Sequence, residues 1–435
     1  MTTIGNPSSE GYLESLLAGQ PALPASPLSS LNALRAEAVD RVGVLTVPTV
    51  RDEEWRFTDI SPLTRQTFQP ARARGPRGLV DVDRFDLPEA ATRLVFVDGV
   101  YVPELSRIAH DGAVVGNLSA VDSAQGEIVA RHLGRHTEFR DNVFAALNTA
   151  FVHDGAIVIV PDGTAVAAAI HLLFIAREED AASYPRCLVV AGRGSAAKVV
   201  EDFVSLADGA YFTDAVTEIA VAQNARIDHV RIQREGRQAF HIGNGAVSLA
   251  SGARFHSVSV ALGARISRYN LSVKHDAEGA SCTIDGLAAI AERQLADTHT
   301  SIDHLKAHGV SRQLHKCIVG GAAHAVFNGK IFVHPHAQQT DSSQSSRNLL
   351  LGARAQVDTK PQLEIFADDV KCAHGATVGR LDDDAIFYLR SRGLSDAAAR
   401  NLLTYAFGAE IVDRIPVASL RQRLEATLLA QTQRP

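Results

Sequence analysis

Residues 361–384 of this 435-residue chain, PQLEIFADDVKCAHGATVGRLDDD, hold its densest set of groups able to do chemistry. Cys372 and His374 follow Asp368 and Asp369, and Asp382, Asp383 and Asp384 come after them. If the segment is extended, alternate side chains point the same way. Cys372 and His374 then share a face with Val370, while Lys371 and Ala373 point away. A thiolate and an imidazole about 6–7 Å apart along a strand suit one soft metal. Two ligands do not complete a tetrahedral site, so a closed structural zinc from this chain alone is not expected. The same spacing also fits a plainer reading, in which the Val370 face points into a core and both residues are packing.

The other reactive groups divide in the same way. Asp368 and Asp382 offer an acid–base pair of the kind a β-helical polysaccharide lyase or hydrolase uses. Asp382–Asp384 stand just before a helical pattern, where carboxylates also favour the positive end of the helix dipole. Seven of the 17 histidines fall between His299 and His336. On a strand, His324, Asn328, Lys330, His334 and His336 have one parity and read as a polar outer row rather than a metal centre. No GxSxG, P-loop or dinucleotide fingerprint occurs in context, so neither ATP binding nor hydrolysis is expected of this chain.

Composition narrows the class. A hydrophobic fraction of 46% supplies a packed core. A net charge of −6 carries no basic excess for nucleic acid. Runs such as IHLLFIA (171–177) are too short to span a membrane. The first basic residue is Arg35, with no cleavable apolar segment before it, which argues against a signal peptide. Cys187, Cys282, Cys317 and Cys372 form no CxxC, so reduced thiols in a cytoplasmic protein are expected.

The elements that must position these groups fall into four stretches. Residues 1–78 read as loosely tethered helices (SEGYLESLLA and SLNALRAEAVDRV) with linkers, one of them carrying Arg72, Arg74 and Arg77. Residues 79–154 read as a mixed α/β segment. Residues 155–382 read as short β segments, and 383–435 as C-terminal helices. Four β segments share one form: NARIDHVRI, GARFHSVSV, GARISRYNLSV and GASCTIDGL. Apolar residues follow a leading alanine at the second, fifth and seventh positions, and the fourth copy fails at Asp285. An alternation that slips phase once predicts two short strands joined by a bend. Stacked copies predict a parallel β-helix, with a jelly roll as the competing fold. Gly393 stops the first C-terminal helix, Ser395 caps the next, and Pro416 separates the last two. The stripe with Leu403, Phe407 and Ile411 exceeds what a short hairpin buries by itself, so it packs on the β domain or on a partner.

The stretch VDTKPQLEIFADDVKCAHGATVGRLDDDAIFYLRSRGL (357–394) closely resembles the C-terminal signature of the SufB/SufD family, subunits of the Suf iron–sulfur cluster assembly scaffold. VFNGKIFV, QQTDSSQSSRNLLLG and the N-terminal EEWRFTD are similar to it too, with Ser346 a small departure. The SufD branch fits best. SufB-type chains carry an EHEATTS-like run in place of KCAHGATVG, and a cysteine that the region around Leu351–Ala355 lacks. The resemblance implies a right-handed parallel β-helix between N-terminal and C-terminal helical regions, in a non-catalytic subunit. It implies pairing with a SufB-type paralogue, with a homodimer open to the isolated chain. It also implies that a SufC-type ABC ATPase docks on the C-terminal helices, assigned here to Leu403, Phe407 and Ile411. A nascent iron–sulfur cluster, shared transiently with SufB, would be held at the interface by His374 with Cys372 as its neighbour. No tightly bound cofactor is implied for the isolated chain.

Overall fold

The structure is a computed structural model and describes residues 9–71, 81–109 and 111–432. Arg72, Arg74 and Arg77 lie outside the described residues. The chain is mainly β and winds into a parallel β-solenoid of about 8 turns, with helices at both ends. Successive strands alternate between two facing sheets, so each strand pairs in parallel with the next but one. Ile227, Phe255, Cys282, Ser311, Ser342 and Cys372 thus stack as one column in one sheet.

The repeated segments prove to be single continuous strands, Arg226–Arg234, Arg254–Ala261, Ile266–His275 and Ser281–Ile290. The phase slip marks no bend. It marks a change in which face of the strand is apolar. Ile227 and Phe255 point into the lumen between the sheets, where they meet Leu271 and Val273 of the opposite wall. Further along the same strands, Val230, Ile232, Val258 and Val260 point outward, beneath Ile411, Val412, Leu420 and Leu424 of the C-terminal helices. The inward positions there are polar but fully buried: His229 bonds Glu201, and Arg231 lies over the rings of Phe203 and Tyr269. Asp285 interrupts the fourth copy because it faces outward and receives Arg414 from the helices at 2.6 Å. The third copy belongs to the other sheet, so the four segments are not equivalent.

The N-terminal helices are docked rather than loosely tethered. Tyr12, Leu13 and Leu16 are buried with Phe139, Phe144, Phe212 and Phe240 on the outer face of the solenoid. Strands Ala90–Val97 and Val114–Asn117 continue the two sheets at this end. No helix among the described residues is long and apolar enough to cross a membrane.

Helix Asp383–Ser391 begins at Asp382, whose carboxylate accepts from the Asp384 N–H, and helix Asp396–Val412 begins at Ser395, which accepts from the Ala398 N–H. Gly393 supplies the left-handed turn between them at φ +98. The last helix, Ala418–Thr432, folds back along the second.

Candidate functional site

Strand Lys371–Gly379 ends one sheet, and strand Gln356–Ile365 ends the other. Each therefore carries an unpaired edge, and the lumen opens to solvent above them. Val370 and Cys372 face inward and pack partly against the lumen cluster. His374 has the same parity but is exposed, as is most of the strand, because no further coil covers it. The pair is thus neither a buried core pair nor a closed metal site. It is a thiol and an imidazole on one strand face at the open mouth of the solenoid.

Burial raises the Cys372 thiol above its usual range, a backbone hydrogen bond from Ser342 lowers it, and nearby Asp341 raises it. The free thiol is protonated near neutral pH, and a metal bound there must displace that proton. Below Cys372 lies a buried hydroxyl chain. Ser342 Oγ and Ser311 Oγ are 2.6 Å apart, and Ser311 Oγ is 3.0 Å from His304 Nε2. Below His374 lies Gln344. Among the described residues no group of three or more His, Cys, Asp or Glu side chains is arranged to hold a metal ion. A soft donor pair with open coordination fits an iron–sulfur species only when further ligands arrive from outside the chain.

The carboxylate pair is not brought together. Asp368 precedes the nine-residue strand Lys371–Gly379 and Asp382 follows it, so they stand roughly 30 Å apart. Glycosidase carboxylates need about 5–10 Å, and Asp382 is already a helix cap. That alternative is excluded by geometry. The outer row holds for His324, Asn328 and Lys330, which face out on strand His324–Val333 and meet Asp358, Glu54 and Glu364. His334 and His336 lie beyond that strand's end.

The residues expected to bind a partner on the C-terminal helices differ in exposure. Ile411 is fully buried, Phe407 packs against the same outer sheet face and lies under Lys316 Nζ, and Leu403 is half-buried. Ile411 and Phe407 are thus covered by the chain's own solenoid. The large apolar groups left open on these helices are Phe387 at 71%, Tyr388 at 56%, Leu402 at 45% and Leu429 at 38% exposure.

One positioning feature escaped the sequence reading. The N-terminal EEWRFTD segment lies across the solenoid as a strap. Glu53 pairs with Lys360 and Glu54 with His299, Trp55 stacks on Arg268, and Thr58 donates to Asp297. The strap reaches strand Gln356–Ile365 and so ties the last coil to the N-terminal region. The motif itself was visible, but nothing local could match it to residues so distant in sequence.

Comparison with known proteins is consistent along the chain. Residues 174–407 match the family model described as "SUF system FeS cluster assembly, SufBD core domain", and residues 7–172 match the "SufBD protein N-terminal region". An iron–sulfur cluster assembly SufBD family protein of Synechocystis is 40% identical, with 91% of this chain and 90% of the relative covered. The iron–sulfur cluster assembly protein SufD of Escherichia coli is 37% identical over 88% of each chain. The chloroplastic protein ABCI7 of Arabidopsis thaliana is 31% identical, covering 86% of this chain and 81% of its own.

Proposed function

Because the chain belongs to the SufBD family of iron–sulfur cluster assembly proteins, we propose that it is the SufD-type scaffold subunit. It pairs with a SufB-type paralogue through the open end of its solenoid and docks a SufC-type ABC ATPase on its C-terminal helices. The nascent cluster is the cargo, held between this chain and its paralogue. The reading rests above all on the open last coil. Two unpaired strand edges invite a facing subunit, and the half-buried Cys372 beside the exposed His374 offers part of a ligand set that such a subunit completes.

An assembly scaffold must release what it builds. Imidazole in place of a thiolate gives a more labile attachment, and an incomplete set on each subunit lets the site open when they move apart. His374 is the principal ligand and Cys372 the secondary one. With Phe407 and Ile411 packed on the solenoid, the ATPase contact lies on Phe387, Tyr388 and Leu402, beside the half-buried Leu403.

The test is a complex co-expressed with SufB- and SufC-type partners. His374→Ala should abolish or sharply reduce iron and acid-labile sulfide in the purified complex while leaving its gel-filtration profile unchanged. Cys372→Ala should give a milder loss. A His374→Ala complex that assembles clusters at the normal rate would reduce the residue to interface packing.

A further inference from the structure

His374 is the last member of a column that runs along the lumen through Ser257, Ile284, Gln313 and Gln344. Gln313 and Gln344 are buried at 5% and 3% exposure, and both reach across to the opposite sheet. Gln313 Nε2 donates to Thr300 Oγ1 at 2.7 Å, and Gln344 Nε2 donates to the Gly329 carbonyl at 3.1 Å. Thr300 and Gly329 are themselves neighbours in register, and the next position in their row is Pro361. The two rungs directly below His374 are therefore each crossed by an amide.

The orientation of the Gln344 amide is forced. A carbonyl cannot donate, so the nitrogen must be the atom that faces Gly329. The amide stands close against Gly329, where a Cβ would come within 2.3 Å of Gln344 Nε2 and push it aside. The amide is pinned against the far wall, and its Oε1 is left buried with no hydrogen-bond partner among the described residues. Buried acceptors in folded proteins are paired, and an exception needs an explanation. One rung above, about 4.8 Å away, stands His374. Its ring has no hydrogen bond or ion pair among the described residues, and Pro361 opposite has no N–H to offer.

We propose that Gln344 is a positioning residue for His374, its Oε1 accepting the ring N–H. This rests on the reading of His374 as a residue that holds the nascent cluster. A neutral imidazole has one N–H and one lone pair. Anchoring the N–H to a fixed amide sets the tautomer and the ring plane and leaves the other nitrogen free toward the open mouth. Histidine ligands are held in this way by an outer acceptor, commonly a carboxylate or carbonyl.

The experiment reads the His374 ring directly. Long-range proton–nitrogen NMR on the full isolated chain, at a pH where the ring is neutral, gives the ratio of its two tautomers. One tautomer should dominate in the wild type. Gln344→Met keeps the length and removes the acceptor, and should move the ratio about threefold or more toward that of free imidazole. Gly329→Ala displaces the amide while residue 344 stays glutamine and should move it the same way, which covers a Met variant that fails to fold. An unchanged ratio in either folded variant overturns the proposal. In the co-expressed complex, Gln344→Met should lower cluster content about 10-fold. A shifted tautomer with normal cluster content in both Gln344→Met and His374→Ala would leave the positioning intact and sink the ligand role of His374 instead.

Discussion

His256 shows how single residues lock successive coils together. Its ring lies 3.6 Å from Asp228 and 3.3 Å from Asp285, on three successive strands of one sheet. Arg226 pairs with Asp228, and Arg414 pairs with Asp285 from the C-terminal helices. Hydrogen bonds to Asp228 and then Asp285 raise the imidazolium from 6.5 to about 9, against the opposing effect of burial. The folded value lies above the unfolded one. The contribution is therefore complete below about pH 6.5 and is lost as the pH rises through about 9. Wild type should exceed His256→Asn by on the order of 2 kcal/mol at pH 6, and the gap should close by pH 10. Denaturant midpoints of both chains at the two pH values check this, since groups titrating in both cancel. A gap that does not change with pH would remove the charge from the account.

At the scale of elements, the C-terminal helices have an inner face packed on the solenoid and an outer face in water. The inner face covers Val230, Val258, Leu287 and Ile318, and each such side chain contributes about 1.5–3 kcal/mol through burial. Ile411→Ala should cost about 2–5 kcal/mol of stability, read by denaturant unfolding, because Ile411 is fully enclosed. The outer face keeps Phe387 and Leu402 in water. Phe387→Ser should change stability by less than about 0.5 kcal/mol and yet weaken capture of the SufC-type ATPase in a pull-down. Unchanged capture would place the ATPase contact on another element. The helices could not be removed wholesale to make this test, since truncation would strip the outer sheet of its cover.

At the scale of the molecule, the N-terminal region packs along the outer face of the solenoid, and its last coil is left open. The Lys371 N–H donates to the Thr340 carbonyl at 2.8 Å. Backbone groups alternate sides along a parallel strand, so the Ala376 N–H points to the open edge. Ala376→Pro removes that outward donor and leaves the inner ladder intact, as edge strands tolerate. The variant should fold as a stable monomer and lose its SufB-type partner on gel filtration; retained pairing would mean that the facing subunit does not join this edge. Much of this was legible in the sequence. The Ala-led repeat gave stacked coils, because a strand that must bury both faces writes that demand locally. Asp382, Gly393 and Ser395 marked the helix ends, since capping chemistry acts within one turn. The spacing of Cys372 and His374 put them on one face, since strand geometry has a period of two. What the sequence could not contain was which elements meet. The phase slip looked like a bend until the C-terminal helices were seen on the outer sheet. The stripe of Leu403, Phe407 and Ile411 could pack on the β domain or on a partner, and only the fold laid Phe407 and Ile411 on the solenoid. Asp368 and Asp382 looked like a pair until a whole strand was laid between them. Gln344 drew no attention, because its meaning comes from Gly329 across the lumen and from His374 one coil above. Local chemistry is set by neighbours along the chain; accessibility, separation and unsatisfied polar atoms are set by residues far away in it, and only the tertiary structure brings those together.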